Sequence, residues 1–161
     1  MERIDLRVGD IRNHVAPALK AIRDGYVICV PGDNGYLLVA DAFSEFAVRA
    51  LHVVRGDELG IAAQVLIHSQ ATLSGIAREI TEDIEKLGEK FWPGPLSLNL
   101  RPQRGLTWDL GDNNDLDRFS VRVPESLFLS SLLKESGPLA SASASRAGEK
   151  AVLLLEDLPD Y

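Results

Sequence analysis

The chain has 161 residues, 45% hydrophobic and 25% charged, a balance that suits one globular domain with a sizeable core. Against 17 lysines and arginines stand 24 aspartates and glutamates, and the net charge of −7 weighs against broad nucleic-acid binding. A lone cysteine, Cys29, excludes an internal disulfide and points to a reducing, cytoplasmic setting; no apolar run reaches membrane-spanning length, and the charged start "MERIDLRVGD" is unlike a signal peptide.

Along the chain, Ile11, Val15, Leu19 and Ile22 fall at helical spacing and predict an amphipathic helix from about Val8 to Asp24, ended by Gly25. "YVICVP" reads as a buried strand stopped at Pro31, "GDNG" as a turn and "YLLVADA" as a second strand. Ser44 is an N-cap for a helix through "EFAVRALHVV", followed by the loop "RGDELG" and the strand "AAQVLIH". Thr72 or Ser74 starts the next helix, and Thr81 starts another that reaches "EDIEKLGEKF". "WPGP" breaks that helix at Pro93, because proline cannot continue it. "LSLNLRP" and "RFSVRVP" alternate as strands, "ESLFLSSLLKES" is a helix ended by Gly137, and "LASASAS" closes the pattern. Helices and strands interleave without a strict βαβ rhythm, which predicts an α+β fold on one mixed, twisted sheet, a single domain over 1–161.

Several chemistries are excluded. His14, His52 and His68 share no metal-ligand spacing with each other or with Cys29. No GxSxG elbow is present, so the serines of "SASAS" are poor hydrolase nucleophiles. "AGEK", at Ala147 to Lys150, lacks the first glycine and the hydroxyl residue of a phosphate-binding Walker loop. The adjacent acids Glu82-Asp83 and Glu156-Asp157 read as solvated charges.

The stretch "PLASASASRAG", Pro138 to Gly148, alternates small residues with hydroxyls, which suggests a backbone that something approaches closely. It resembles the Pro-Leu-Ala-x-x-Ser-Ala-Asn-x-Ser-Gly segment of the YrdC family of threonylcarbamoyl-AMP synthases. "PGDNGYLLVADA" lies in register with that family's Pro-Thr-Asp/Glu-Thr-Val-Tyr-Gly-Leu segment and its Cys-Asp-Ala. "EKFWPGPLSLNL" resembles its Phe-Trp-Pro-Gly-Pro-Leu-Thr element, and "FSVRVPES" its Val-Arg-x-Pro strand end. The four matches keep the family's order between Gly25 and Gly148.

The resemblance implies a concave cavity flanked by helices. It also implies a reaction that joins threonine, bicarbonate and ATP into threonylcarbamoyl-AMP for tRNA modification, releasing pyrophosphate. Such chemistry needs cations facing a polyphosphate. The residues that the resemblance places at the nucleotide or substrate are Asn34, Tyr36, Arg55, Arg122, Ser141, Ser143 and Ser145, with Arg122 where the family's arginine contacts the threonine carboxylate.

Counted from Pro31, the family's Lys-x-Arg falls on Arg55-Gly56-Asp57, and its Lys-Pro-Leu on Ile61-Ala62-Ala63. Three positive charges are thus replaced by one positive and one negative, and no lysine lies between Lys20 and Lys86. Ser-x-Asn becomes Ser143-Ala144-Ser145, and both threonines of the first segment are replaced, by Gly32 and Asn34. Frame elements such as Trp92-Pro93-Gly94-Pro95 persist while substrate positions have drifted. The reading is a divergent member with weak or absent synthase activity and no tightly bound cofactor, taking ATP with Mg as substrate where synthesis persists. The alternatives are a non-catalytic module holding a nucleotide, a small anion or double-stranded RNA, the last weakly, or a partner of an intact synthase.

Overall fold

In a computed structural model, residues 3–58, 60–115 and 117–160 are described. A 3-10 turn at Ile11–His14 leads into α1 (Val15–Arg23). The strands are β1 (Ile28–Gly32), β2 (Gly35–Asp41), β3 (Gln64–Leu66), β4 (Ala77–Arg78), β5 (Leu98–Pro102), β6 (Phe119–Arg122) and β7 (Leu139–Ser143). The remaining helices are α2 (Glu45–Arg55), α3 (Leu73–Ile76), α4 (Glu82–Phe91) and α5 (Leu127–Ser136). One seven-stranded sheet runs in the order β1-β2-β7-β3-β6-β5-β4, with only β3 and β6 parallel. The mixed α+β sheet is as expected.

Two expected boundaries shift for local reasons. Regular helix begins at Val15 rather than Val8, because Pro17 has no N–H to return to residue 13 and is tolerated only in a first turn. Asp10 caps the preceding 3-10 turn instead, accepting from the Arg12 N–H at 2.9 Å. The strand expected over "AAQVLIH" is paired only at Gln64–Leu66, since the Ala63 N–H leaves the sheet for the Leu110 carbonyl at 2.8 Å. Elsewhere the caps fall where the sequence places them: Ser44 accepts from the Ala47 N–H and Thr81 from the Ile84 N–H.

Register sorts the small-residue strand by face. Leu37 pairs with Ser143, and both Val39 and Gln64 pair with Ser141, so these share one face with Leu66 and Leu139. The apolar end of that face is covered by α1 and α5, where Ile22, Leu129, Leu132 and Leu133 are buried against Val39, Leu66 and Leu139. Each such leucine contributes roughly 1.5–3 kcal/mol by burial. The other face carries Ala140 against Val65 and Val121, and Ala142 and Ala144 against Ala47 and Leu51 of α2. Alanines let α2 sit close to the sheet. The serines are left on the half of the opposite face that α1 and α5 do not cover.

Candidate active-site cavity

At the edge of that half-open face lies a cavity of about 270 Å³, lined by Leu37, Ser141, Ala142 and Ser143 of the sheet, Gln64, the segment Ile61–Ala63, and His52, Arg55 and Asp57 at the end of α2. It opens where β7 outruns β3, so the Ser143 carbonyl accepts from Arg55 Nη1 at 3.3 Å in place of a strand partner. Ser141 Oγ donates to the Gln64 carbonyl at 3.2 Å. Ser143 and Ser145 Oγ share one hydrogen bond at 2.9 Å, which leaves one of the two hydroxyl protons for a ligand. The Gln64 amide donates to Ser97 and Ser120 Oγ at 2.8 and 2.9 Å, extending the polar lining across the sheet.

The cation of the cavity is held by local backbone geometry. Helix α2 ends at Gly56 in the left-handed region, φ 71°, and the Asp57 N–H turns back to the His52 carbonyl at 3.1 Å. The turn aims the Asp57 carboxylate at its own helix end. Asp57 Oδ1 accepts from Arg55 Nε at 3.1 Å, and Oδ2 lies 2.8 Å from His52 Nδ1. The Asp57 side chain is only 4% exposed, against 17% for Arg55. Basic residues in this last turn also complement the helix dipole.

The other residues singled out from sequence are distributed around this centre. Arg122 is 8% exposed, with Nη2 3.7 Å from Asp33 Oδ2 and a buried Nε that has no hydrogen-bond partner. Asp33 also accepts the Glu125 and Ser126 N–H groups at 3.2 and 2.9 Å, capping α5 from the β1–β2 turn. By register Arg122 shares the face of Gln64, but it does not line the cavity. Tyr36 packs on the α2 face with Leu38 and Ala144 instead, and Asn34 is exposed in the β1–β2 turn. Ser145 is buried behind Ser143. His52 and Gln64 also line the cavity although no motif points to them, and their long-range contacts to Leu110 and Ser120 single them out.

Residues 20–160 match the Sua5/YciO/YrdC family, whose description is telomere recombination, and the chain belongs to that family. A threonylcarbamoyl-AMP synthase candidate of Mycobacterium leprae is 34% identical over 139 residues, 86% of this chain and 62% of its own length. The threonylcarbamoyl-AMP synthase of Pyrococcus abyssi is 32% identical over 129 residues, 80% of this chain and 37% of its own. The crystal structure of Pyrococcus abyssi Sua5 with L-threonine superposes at a TM-score of 0.81, with 30% identity over 94% of this chain and 42% of that one. The chain is thus related to the threonylcarbamoyl-AMP synthases and spans less than two thirds of these relatives' lengths. Among the described residues, no helix is long and apolar enough to cross a membrane.

Proposed function

We propose that this chain is a cytoplasmic nucleotide- or small-anion-binding domain of the synthase fold in which threonylcarbamoyl-AMP synthesis is weak or absent. One observation carries the reading: Asp57 engages Arg55, the only lysine or arginine lining the cavity among the described residues. The position at which the resemblance implies a second cation therefore neutralises the first. A polyphosphate with several negative charges finds too little positive charge to balance it. A monophosphate or a small anion needs less, and Arg55 with one free serine proton offers a charged donor and a neutral one. Any residual synthesis would take ATP with Mg as substrate, the ion arriving on the nucleotide.

The test is calorimetric titration with AMP, ATP and L-threonine separately, for the parent, Arg55→Ala and Ser143→Val. The reading expects AMP to bind at least as well as ATP, and both variants to lose about tenfold or more in affinity. Tight ATP binding that survives Arg55→Ala would overturn it.

A further inference from the structure

We propose that His52 is a positioning residue: donating from both ring nitrogens, it locks Asp57, and Asp57 fixes the Arg55 guanidinium against the cavity wall. The inference rests on the reading of that cavity as an anion site, and it assigns the site's charge to a residue outside every motif compared above.

Both ring nitrogens of His52 face acceptors. Nδ1 lies 2.8 Å from Asp57 Oδ2, and Nε2 lies 2.8 Å from the Leu110 carbonyl oxygen. A carboxylate and a carbonyl offer lone pairs only, so a neutral ring would set one nitrogen lone pair against another. A proton on each nitrogen satisfies both contacts at once. The imidazolium and guanidinium then flank a single carboxylate, leaving the cluster with a net charge of about +1 rather than zero. His52 in this way returns one positive charge to the cluster, still fewer than a polyphosphate would need to balance it.

The surroundings hold the ring in that orientation. The His52 side chain is 13% exposed. Gly111, at φ 105°, lies directly against the ring, and a Cβ there would collide with Nε2. Of the other charged groups on the packed segments, Glu58 is exposed. Asp109 accepts the Gly111 and Asn113 N–H groups at 2.9 and 3.1 Å, and Asp112 is buried. Arg49, one turn back on α2, pairs outward with Glu45 at 2.7 Å. Among the hydrogen bonds of the described residues, the side-chain oxygen on the ring comes from Asp57.

The experiment is nitrogen NMR on the labelled full chain at neutral pH, with AMP as the binding probe. The ring nitrogens of His52 are expected to show the doubly protonated pattern. In His52→Gln, the Arg55 Nε proton should exchange with water at least about tenfold faster, and AMP affinity should fall roughly threefold to tenfold. The backbone amide spectrum away from α2 and residues 108–113 should stay unchanged, which separates positioning from unfolding. Asp57→Asn should speed the same Arg55 exchange, and it serves as the second variant if His52→Gln does not fold. A single neutral tautomer of His52, or unaltered Arg55 exchange in the variants, overturns the inference. If the parent does not bind AMP, the anion-site reading fails, while the ring-nitrogen and Arg55 signals still decide the positioning role.

Discussion

Arg55 Nε and Asp57 Oδ1 lie 3.1 Å apart across the left-handed Gly56, so the end of α2 ties its own cation to a carboxylate two residues on. From sequence, Asp57 reads as a bare negative charge facing a phosphate. Its oxygens are instead taken by Arg55 and His52, and the side chain is almost wholly covered. The effect on a ligand is a cation already spent rather than a direct repulsion. Removing the carboxylate should therefore damage the fold as well as the site. Asp57→Ala leaves two polar nitrogen groups facing an emptied, largely buried position, and urea unfolding should show a loss of about 2–4 kcal/mol.

A second carboxylate performs a longer-range task. Asp33 accepts the N–H groups of Glu125 and Ser126 and lies 3.7 Å from Arg122, joining the β1–β2 turn to the start of α5. Asp33→Ala should cost roughly 2–4 kcal/mol by thermal or urea unfolding, through the Glu125 and Ser126 N–H groups left without their acceptor and the unpaired buried guanidinium. Asp33→Asn retains an acceptor oxygen and should cost about half as much. Equal stability of the alanine variant and the parent would show the bridge to be energetically idle.

Much of this architecture is legible in the sequence, for physical reasons that differ by element. Ser44 and Thr81 are local signals that place the starts of α2 and α4, whereas the apolar spacing finds α1 but sets its start at Val8 instead of Val15. The alternation in "LASASAS" separates the two faces of β7: the alanines pack toward α2, with Ala142 also at the cavity, while Ser141 and Ser143 line the cavity from the other face. The strand β4 is only two residues long and exists by pairing with Arg101 and Pro102, which no local pattern announces. Tyr36 misleads because motif position does not fix side-chain direction. Its neighbour Leu37 faces the cavity, and strand alternation sends Tyr36 to the α2 side. His52 is invisible from sequence because one of its two partners, Leu110, is 58 residues away.

Cys29 gives a prediction in pH. Burial pushes its thiol up to about 11 from an ordinary value of 9.0, so the thiolate is disfavoured at neutral pH and gained only as the pH climbs. Alkylation by iodoacetamide in native buffer should run about a hundredfold slower than for a free cysteine, rising about tenfold per pH unit. Labelling at the free-thiol rate near neutrality would show that the residue is not buried as described.

For nucleic acid, five arginines are candidates for a basic patch: Arg101, Arg104, Arg118, Arg122 and Arg146. Arg101 is paired with Glu79 and Asp117 at 3.4 and 3.7 Å, and Arg122 with Asp33. That leaves Arg104, Arg118 and Arg146, too few to release many counterions. Duplex RNA titrated at low and physiological salt should bind weakly, with a shallow salt slope. Tight, salt-sensitive binding lost in Arg146→Ala would favour an RNA-binding role instead.

The most direct test of the central claim is pyrophosphate release from ATP in the presence of L-threonine and bicarbonate, run beside the Pyrococcus abyssi synthase under the same conditions. Each lost cationic or amide contact should cost the transition state roughly 1–3 kcal/mol. The changes at Asp57, Ile61 and Ser145 together predict a rate about a thousandfold lower or less than that of the reference enzyme. Turnover within about tenfold of the reference, dependent on both threonine and bicarbonate, would contradict the account: a cavity with Arg55 tied to Asp57 would then be sufficient for synthesis.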